Sequence, residues 1–278
     1  MELIESIFKL KDHKTSFKKE ILAGLATFLT MAYIMVVNPA ILSETGMDFD
    51  SVFVATILAS FVACMLMGVL ANWPVALAPG MGLNAFFTYA VVFGMGFTWQ
   101  QALAAVLCSG ILFLLISISP LRAYLINAIP KSLKFGIGAG IGLFLAIIGL
   151  KNAGIVVDNP ATLVGLGDLK SAPVLLALLT FTLMIALDKL KIPGAIVISI
   201  LATTIIGFIF GVAQFQGVAS SIPSMSPTFM QLDFSSLGSS LFLIVIFTIL
   251  FVDFFDTAGT LTSVANLSGK IDKNGNVE

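Results

Sequence analysis

Eight apolar runs, each 16 to 21 residues long, leave this chain few ways to fold. A helix crosses the hydrocarbon core of a bilayer in about 20 residues. The runs occupy Ile21–Val37, Val52–Leu70, Ala76–Val92, Ala102–Ser117, Leu133–Leu150, Ala172–Leu187, Gly194–Val212 and Leu241–Leu261. With 58% hydrophobic and 10% charged residues, the 278-residue chain lies far from the about 25% charged content of soluble domains. The sequence therefore predicts an all-α integral membrane protein of about eight transmembrane helices.

Lys and Arg accumulate in cytoplasmic loops, and their placement tests the span count. With the N-terminus inside, twelve of the 14 basic residues fall on the inner side and only Lys151 and Lys170 on the outer. The twelve are Lys9, Lys11, Lys14, Lys18 and Lys19 in the leader, then Arg122, Lys131, Lys134, Lys189, Lys191, Lys270 and Lys273. Both ends of the chain are expected in the cytoplasm. Leu3, Ile7 and Leu10 at helical spacing predict that residues 1–20 form an amphipathic helix on the membrane surface. The run that follows ends in Asn38-Pro39 without a small-residue cleavage site, so it reads as a first span and not as a signal peptide. The segments after Gln214 and around Asp158 read as connectors, and residues 263–278 as a hydrophilic tail containing the turn-forming Asp272-Lys-Asn-Gly-Asn.

The last apolar run carries Asp253 and Asp256. An ionised Asp at the bilayer centre costs roughly 2.5 to 3.5 kcal/mol, so it is expected to face a partner or a water-filled cavity. Spacing i, i+3 puts both carboxylates on one side of a helix, and Thr257 and Thr260 extend the stripe. Such a stripe faces protein. It serves a substrate or proton site, or else it caps or hydrogen-bonds a neighbouring helix.

The third run is interrupted by Pro74, Pro79, Gly80 and Gly82 before Leu83–Val92 resumes. Proline removes an N–H and clashes with the preceding turn, and glycine is a poor helix former, so a continuous helix is not expected. Broken backbone at membrane depth is tolerated where it is buried in protein or lines a cavity, and interrupted spans point to transporter binding sites. Asn84 stands just after the break, where a resumed helix offers free N–H groups to a polar ligand; capping that helix is its other reading. Phe86 and Phe87 follow, with packing and base stacking both open to them.

Other patterns carry less. Gly80–Ala85 matches a loose dinucleotide-binding pattern, but no βαβ unit or acidic residue accompanies it. Cys64 and Cys108 lie in apolar runs and read as packing residues, the lone His13 lacks companion ligands, and no cofactor is expected. Gly136, Gly138, Gly140 and Gly142 form small-xxx-small steps that permit close helix packing. The turn in the tail fails as an EF-hand because Gly275 stands fourth and not sixth. No basic tract suggests nucleic acid.

Four segments in order, Thr27–Leu42 (TFLTMAYIMVVNPAIL), Ala78–Tyr89 (APGMGLNAFFTY), Phe135–Ile155 (FGIGAGIGLFLAIIGLKNAGI) and Phe251–Leu261 (FVDFFDTAGTL), resemble the hallmarks of the adenine/guanine/hypoxanthine branch of purine permeases, within the nucleobase/ascorbate transporter superfamily. The resemblance implies a fourteen-span fold of two inverted seven-span repeats. Spans one to four (21–119) and eight (within 214–262) would form a core domain, and spans five to seven (120–213) a gate domain. It implies that Asp253, Asp256, Gly82 and Asn84 fall on positions important for purine recognition or transport, with Met81, Phe86 and Thr257 beside them at the substrate. The implied partners are a purine nucleobase, a co-transported proton and the lipid of a plasma membrane; a homodimer is left open. The chain stops after span eight, so the counterpart of the broken third span is missing, and a fragment inactive in transport is an alternative expectation.

The chemistry suits a purine. A carboxylate can accept two N–H groups from a base edge, charge-assisted hydrogen bonds are the strong ones, and a carboxylate at membrane depth can relay a proton. Proton-coupled purine uptake is therefore expected, with Asp253 as main base contact and Asp256 as supporting or coupling acid. An intramembrane aspartyl protease or polyprenyl transferase would need acidic groups from further spans. An anion transporter would prefer Arg, Lys or helix N-termini at its site.

Overall fold

The computed structural model describes residues 8–12, 15–73, 75–119, 131–214, 217 and 221–267. Its helices are α1 (Phe17–Met31), α2 (Ile34–Ser43), α3 (Phe49–Leu70), α4 (Met81–Ala85) running into a π-helix (Phe86–Gly94), α5 (Trp99–Ile118), α6 (Lys131–Asn152), α7 (Ala172–Lys189), α8 (Ala195–Ile209) and α9 (Ser240–Leu267). Each predicted span has a helical counterpart here. Five helical stretches among the described residues, Phe17–Ser43, Phe49–Leu70, Trp99–Ile118, Ala172–Lys189 and Ser240–Thr257, are long and apolar enough to cross a membrane.

Local chemistry accounts for several boundaries. Thr98 and Gln101 close a capping box at the start of α5: Gln101 N–H donates to Thr98 Oγ1 at 3.3 Å and Thr98 N–H to Gln101 Oε1 at 3.1 Å. Pro173 sits in the first turn of α7, where its missing N–H costs nothing. The first span divides at Ala32–Tyr33, across which Met35 N–H reaches Ala32 O and Val36 N–H reaches Tyr33 O, so the single helix expected over Ile21–Val37 is two.

The connector around Asp158 is more ordered than expected. Val156–Asn159 (β1) pairs antiparallel with Leu163–Leu166 (β2), from Val156 opposite Leu166 to Asn159 opposite Leu163. Asn159 Oδ1 closes the turn by accepting from the N–H groups of Ala161 and Thr162 at 2.9 and 3.3 Å. Much of the predicted leader helix, His13, Arg122 and the tail turn lie outside the described residues. In α6 a Cβ at Gly136, Gly140 or Gly142 would meet no described atom within 4 Å.

The described residues have an apolar core, but they also leave many large apolar side chains exposed and bury several hydroxyls. Ile118, Leu70 and Ile209 are 85%, 78% and 74% exposed, whereas Ser51, Thr88 and Ser199 are 0% exposed. In lipid, apolar side chains lose nothing by facing outward, and polar groups must find partners inside.

The chain forms two compact units. The first comprises Met1–Ala40, Phe49–Pro79 and Ile147–Ser226. In it α7 packs on α8 and α8 on α1, Thr180 Oγ1 donates to Thr203 Oγ1 at 2.9 Å, and buried Asn38 donates to Thr56 Oγ1 at 2.7 Å. The second comprises Ile41–Asp48, Gly80–Ala146 and Pro227–Glu278. There α9 packs along α5, with Phe242 against Phe97 and Phe254 against Phe113 at ring-centroid distances of 5.9 and 6.2 Å.

Candidate functional site

The break in the third span is real. Residues 75–80 run without helical structure, and helix resumes at Met81 with Gly80 as N-cap in an extended conformation (φ −72°, ψ 112°). The N-cap, Gly80, has no side chain with which to cap this start. Asn84 lies one turn in: its N–H donates to Gly80 O at 3.1 Å, and its Nδ2 lies 4.0 Å from Met81 Sδ. Ala85 is fully buried, and Phe87 is buried while Phe86 is half-exposed, which assigns packing to the second phenylalanine and leaves the first accessible.

α9 comes to this start of helix. A Cβ built on Gly80 would lie 3.3 Å from Asp256 Oδ2, so a side chain there would press the carboxylate back by a few tenths of an ångström. Asp253, Asp256 and Thr257 are all half-buried, as the i, i+3, i+4 spacing implies. Thr260, one turn on, is exposed, so the stripe faces protein for only part of its length. Phe254, between the two aspartates, is buried against α5 and fixes the rotation of α9 that presents them.

The structure brings the broken span and the acidic span together at Gly80 and Asp256, with Met81, Gly82 and Asn84 following on the first and Asp253 and Thr257 flanking on the second, all within the second unit. The arrangement offers backbone N–H donors at a helix start and two carboxylate acceptors, a set suited to a neutral, hydrogen-bonding ligand with an N–H edge.

Sequence reasoning missed the role of Cys64. Its Sγ donates to Leu77 O at 3.2 Å and accepts from Leu77 N–H at 3.1 Å, so one thiol satisfies both backbone groups of a residue in the unwound segment. Nothing in the spacing of positions 64 and 77 announces such a contact. In the same unit a cavity of about 550 Å³ is lined by Glu20, Thr27, Ser60, Cys64 and Trp73 among apolar residues, and none of the predicted site residues borders it. No cluster of metal-ligating side chains occurs among the described residues.

Comparison with known proteins places this geometry in context. Residues 18–277 match the permease family. The chain is 48% identical to a protein of Methanocaldococcus jannaschii named as a permease, over 99% of this chain and 63% of the relative. It is 43% identical to the adenine permease AdeP of Escherichia coli K12, over 98% of this chain and 61% of the relative. With the guanine/hypoxanthine permease PbuO of Bacillus subtilis 168 it shares 44% identity, over 96% of this chain and 63% of the relative. The chain therefore spans somewhat less than two thirds of the length of these relatives. Nearly all of it is covered by each match, at identities far above the level at which a shared family is in question, and it belongs to the permease family.

Proposed function

We propose that this chain carries the substrate-holding half of a proton-coupled purine nucleobase permease that takes up adenine, guanine or hypoxanthine across the plasma membrane. The observation that carries the reading is the approach of Asp256 to Gly80 at the start of the resumed helix. A planar base presenting N–H groups along one edge and ring acceptors along another matches carboxylate acceptors and helix-start donors placed side by side. The names of relatives at 43 and 44% identity, adenine permease and guanine/hypoxanthine permease, support the same class of substrate.

In this proposal Asp253 is the main base contact and Asp256 the supporting or coupling acid. Gly82 and Asn84 contribute from the broken span, with Met81, Phe86 and Thr257 completing the lining. Residues 21–119 and 214–262 hold the substrate and residues 120–213 form the gate, with both termini of the chain cytoplasmic. The test is uptake of radiolabelled hypoxanthine by the full-length permease in cells lacking their own purine carriers. Asp253→Asn is expected to reduce uptake by at least about tenfold, the loss of one charge-assisted hydrogen bond, and to flatten its pH dependence. Unaltered uptake and pH dependence in that variant would remove Asp253 from the site. Competition by adenine, guanine and hypoxanthine, with none by uracil or sulfate, fixes the substrate class.

A further inference from the structure

Thr88 is fully buried in the apolar stretch FFTYAVV, yet its hydroxyl does not do what buried threonines elsewhere in this chain do. A threonine in a helix ordinarily donates to the carbonyl one turn back, as Thr56, Thr180, Thr203 and Thr248 do here at 2.7 to 2.8 Å. Thr88 Oγ1 instead leaves its own helix and donates to Ile41 O at 3.2 Å. Ile41 lies in the last turn of α2, where carbonyls lose their helical partners. Leu42 O and Ser43 O are taken up by the N–H groups of Thr45 and Gly46, and Ile41 O accepts from Thr88. The next residue repeats the link: Tyr89 OH donates to Glu44 Oε1 at 3.0 Å.

The stretch so fastened is the π-helix Phe86–Gly94, an i→i+5 conformation that is rare and frequently found at functional sites. At its C-terminal end Met95 N–H donates to Ala90 O, five residues back, and a Cβ on Gly94 would lie 3.2 Å from Tyr89 O, again five residues back. Relaxation to an α-helix would take one residue out of each turn. Everything N-terminal to the change, Met81–Ala85 with Asn84 included, would rotate relative to Thr88.

We propose that Thr88 and Tyr89 are positioning residues: by tying the π-helix to the end of α2 they hold the helical register in which Asn84 and Phe86 meet the substrate beside Asp256. Affinity for the base then depends on two hydroxyls assigned no contact with it. The inference rests on the purine reading of that site.

The experiment compares Thr88→Val, which keeps the volume and removes the hydroxyl, with Thr88→Ser, which restores it, in the full-length permease. Thr88→Val is expected to raise KM for hypoxanthine about three- to tenfold with little change in the maximal rate, and Thr88→Ser to return KM towards the parent value. Hydrogen exchange over residues 84–95, measured by mass spectrometry without substrate, is expected to speed up in Thr88→Val and not in Thr88→Ser. Tyr89→Phe, which keeps the ring beside Phe93, serves if Thr88→Val does not accumulate, and a smaller change in the same two readouts is expected. Parent-like KM and exchange in the variants overturn the proposal. If the parent protein takes up no purine, the substrate reading fails by itself, while exchange over residues 84–95 still decides whether the hydroxyls hold the register.

Discussion

Gly80 is the residue at which the two halves of the candidate site touch. Its backbone, at φ −72° and ψ 112°, is open to any residue, so what requires glycine is space and not conformation. Alanine there would press a methyl to 3.3 Å from Asp256 Oδ2, which the carboxylate can relieve only by retreating a few tenths of an ångström. Gly80→Ala is therefore expected to accumulate normally and to lower purine uptake several-fold, and Gly80→Val to abolish uptake; transport by Gly80→Val at the parent rate would show that the approach is incidental. Asn38 is a second residue whose role is set by its partner. Its donation to Thr56 Oγ1 crosses from α2 to α3, and Thr56 in turn donates to Val52 O, a buried polar relay that satisfies groups lipid could not.

Elements in this fold are held by side chains at their ends. The loop before α9 is fastened to the start of α5 by Gln101, whose Nε2 donates to Ser235 Oγ at 3.2 Å and Ser236 Oγ at 3.0 Å, and by Asp233 N–H, which donates to Gln100 O. Asp233 accepts from the backbone N–H of Ser235 at 2.8 Å, and this bond, then the Ser235 hydroxyl and Gln101, hold its carboxyl below the ordinary carboxylate range. A depressed value in the folded state adds stability that is present above the unfolded carboxylate pKa of about 3.9 and is lost as pH falls through the lower folded value. Hydrogen exchange over residues 231–239 is accordingly expected to be flat from pH 5 to 8 once the intrinsic chemistry is corrected for, and to rise only in strong acid. A rise between pH 7 and 5 would assign the loop's order to another group. Gln101→Ala, which opens both the capping box and the serine contacts, is expected to speed exchange there at every pH. The Cys64 clasp on Leu77 belongs to the same class of device, fastening an unwound segment to α3 where regular hydrogen bonding has been given up.

For the whole molecule, the outward apolar surface and the inward hydroxyls leave one environment open to it. A chain that buries polar side chains at 0% exposure and leaves leucines and isoleucines above 70% exposed is stable in lipid, where association is driven by packing and internal hydrogen bonds. The chain is expected to stay in the membrane pellet through extraction at alkaline pH with carbonate; release into the supernatant would contradict the reading of its apolar helices as spans.

How much of this was legible beforehand follows from the kind of signal each feature leaves. Asp253 and Asp256 stood out because ionisable groups in an apolar run are costly, and the broken third span stood out because proline and glycine disrupt helices by local sterics; both effects depend on the residue and its near neighbours alone. The eight apolar runs and the i, i+3 face of α9 were legible for the same reason. Thr88, Cys64 and Asn38 left no such mark. A hydroxyl, a thiol or an amide in an apolar helix looks alike whether it bonds its own turn or a distant carbonyl, and partners 47, 13 and 18 positions away are chosen by how helices pack. The division of the first span, the hairpin beyond α6 and the π-helix were likewise invisible to a 3.6-residue period. The amino-acid order alone determined that this chain lives in lipid and that two polar elements in it must find protein or water; only the tertiary fold decided that they find each other, because that contact is made by packing across sequence distances over which local chemistry carries no information.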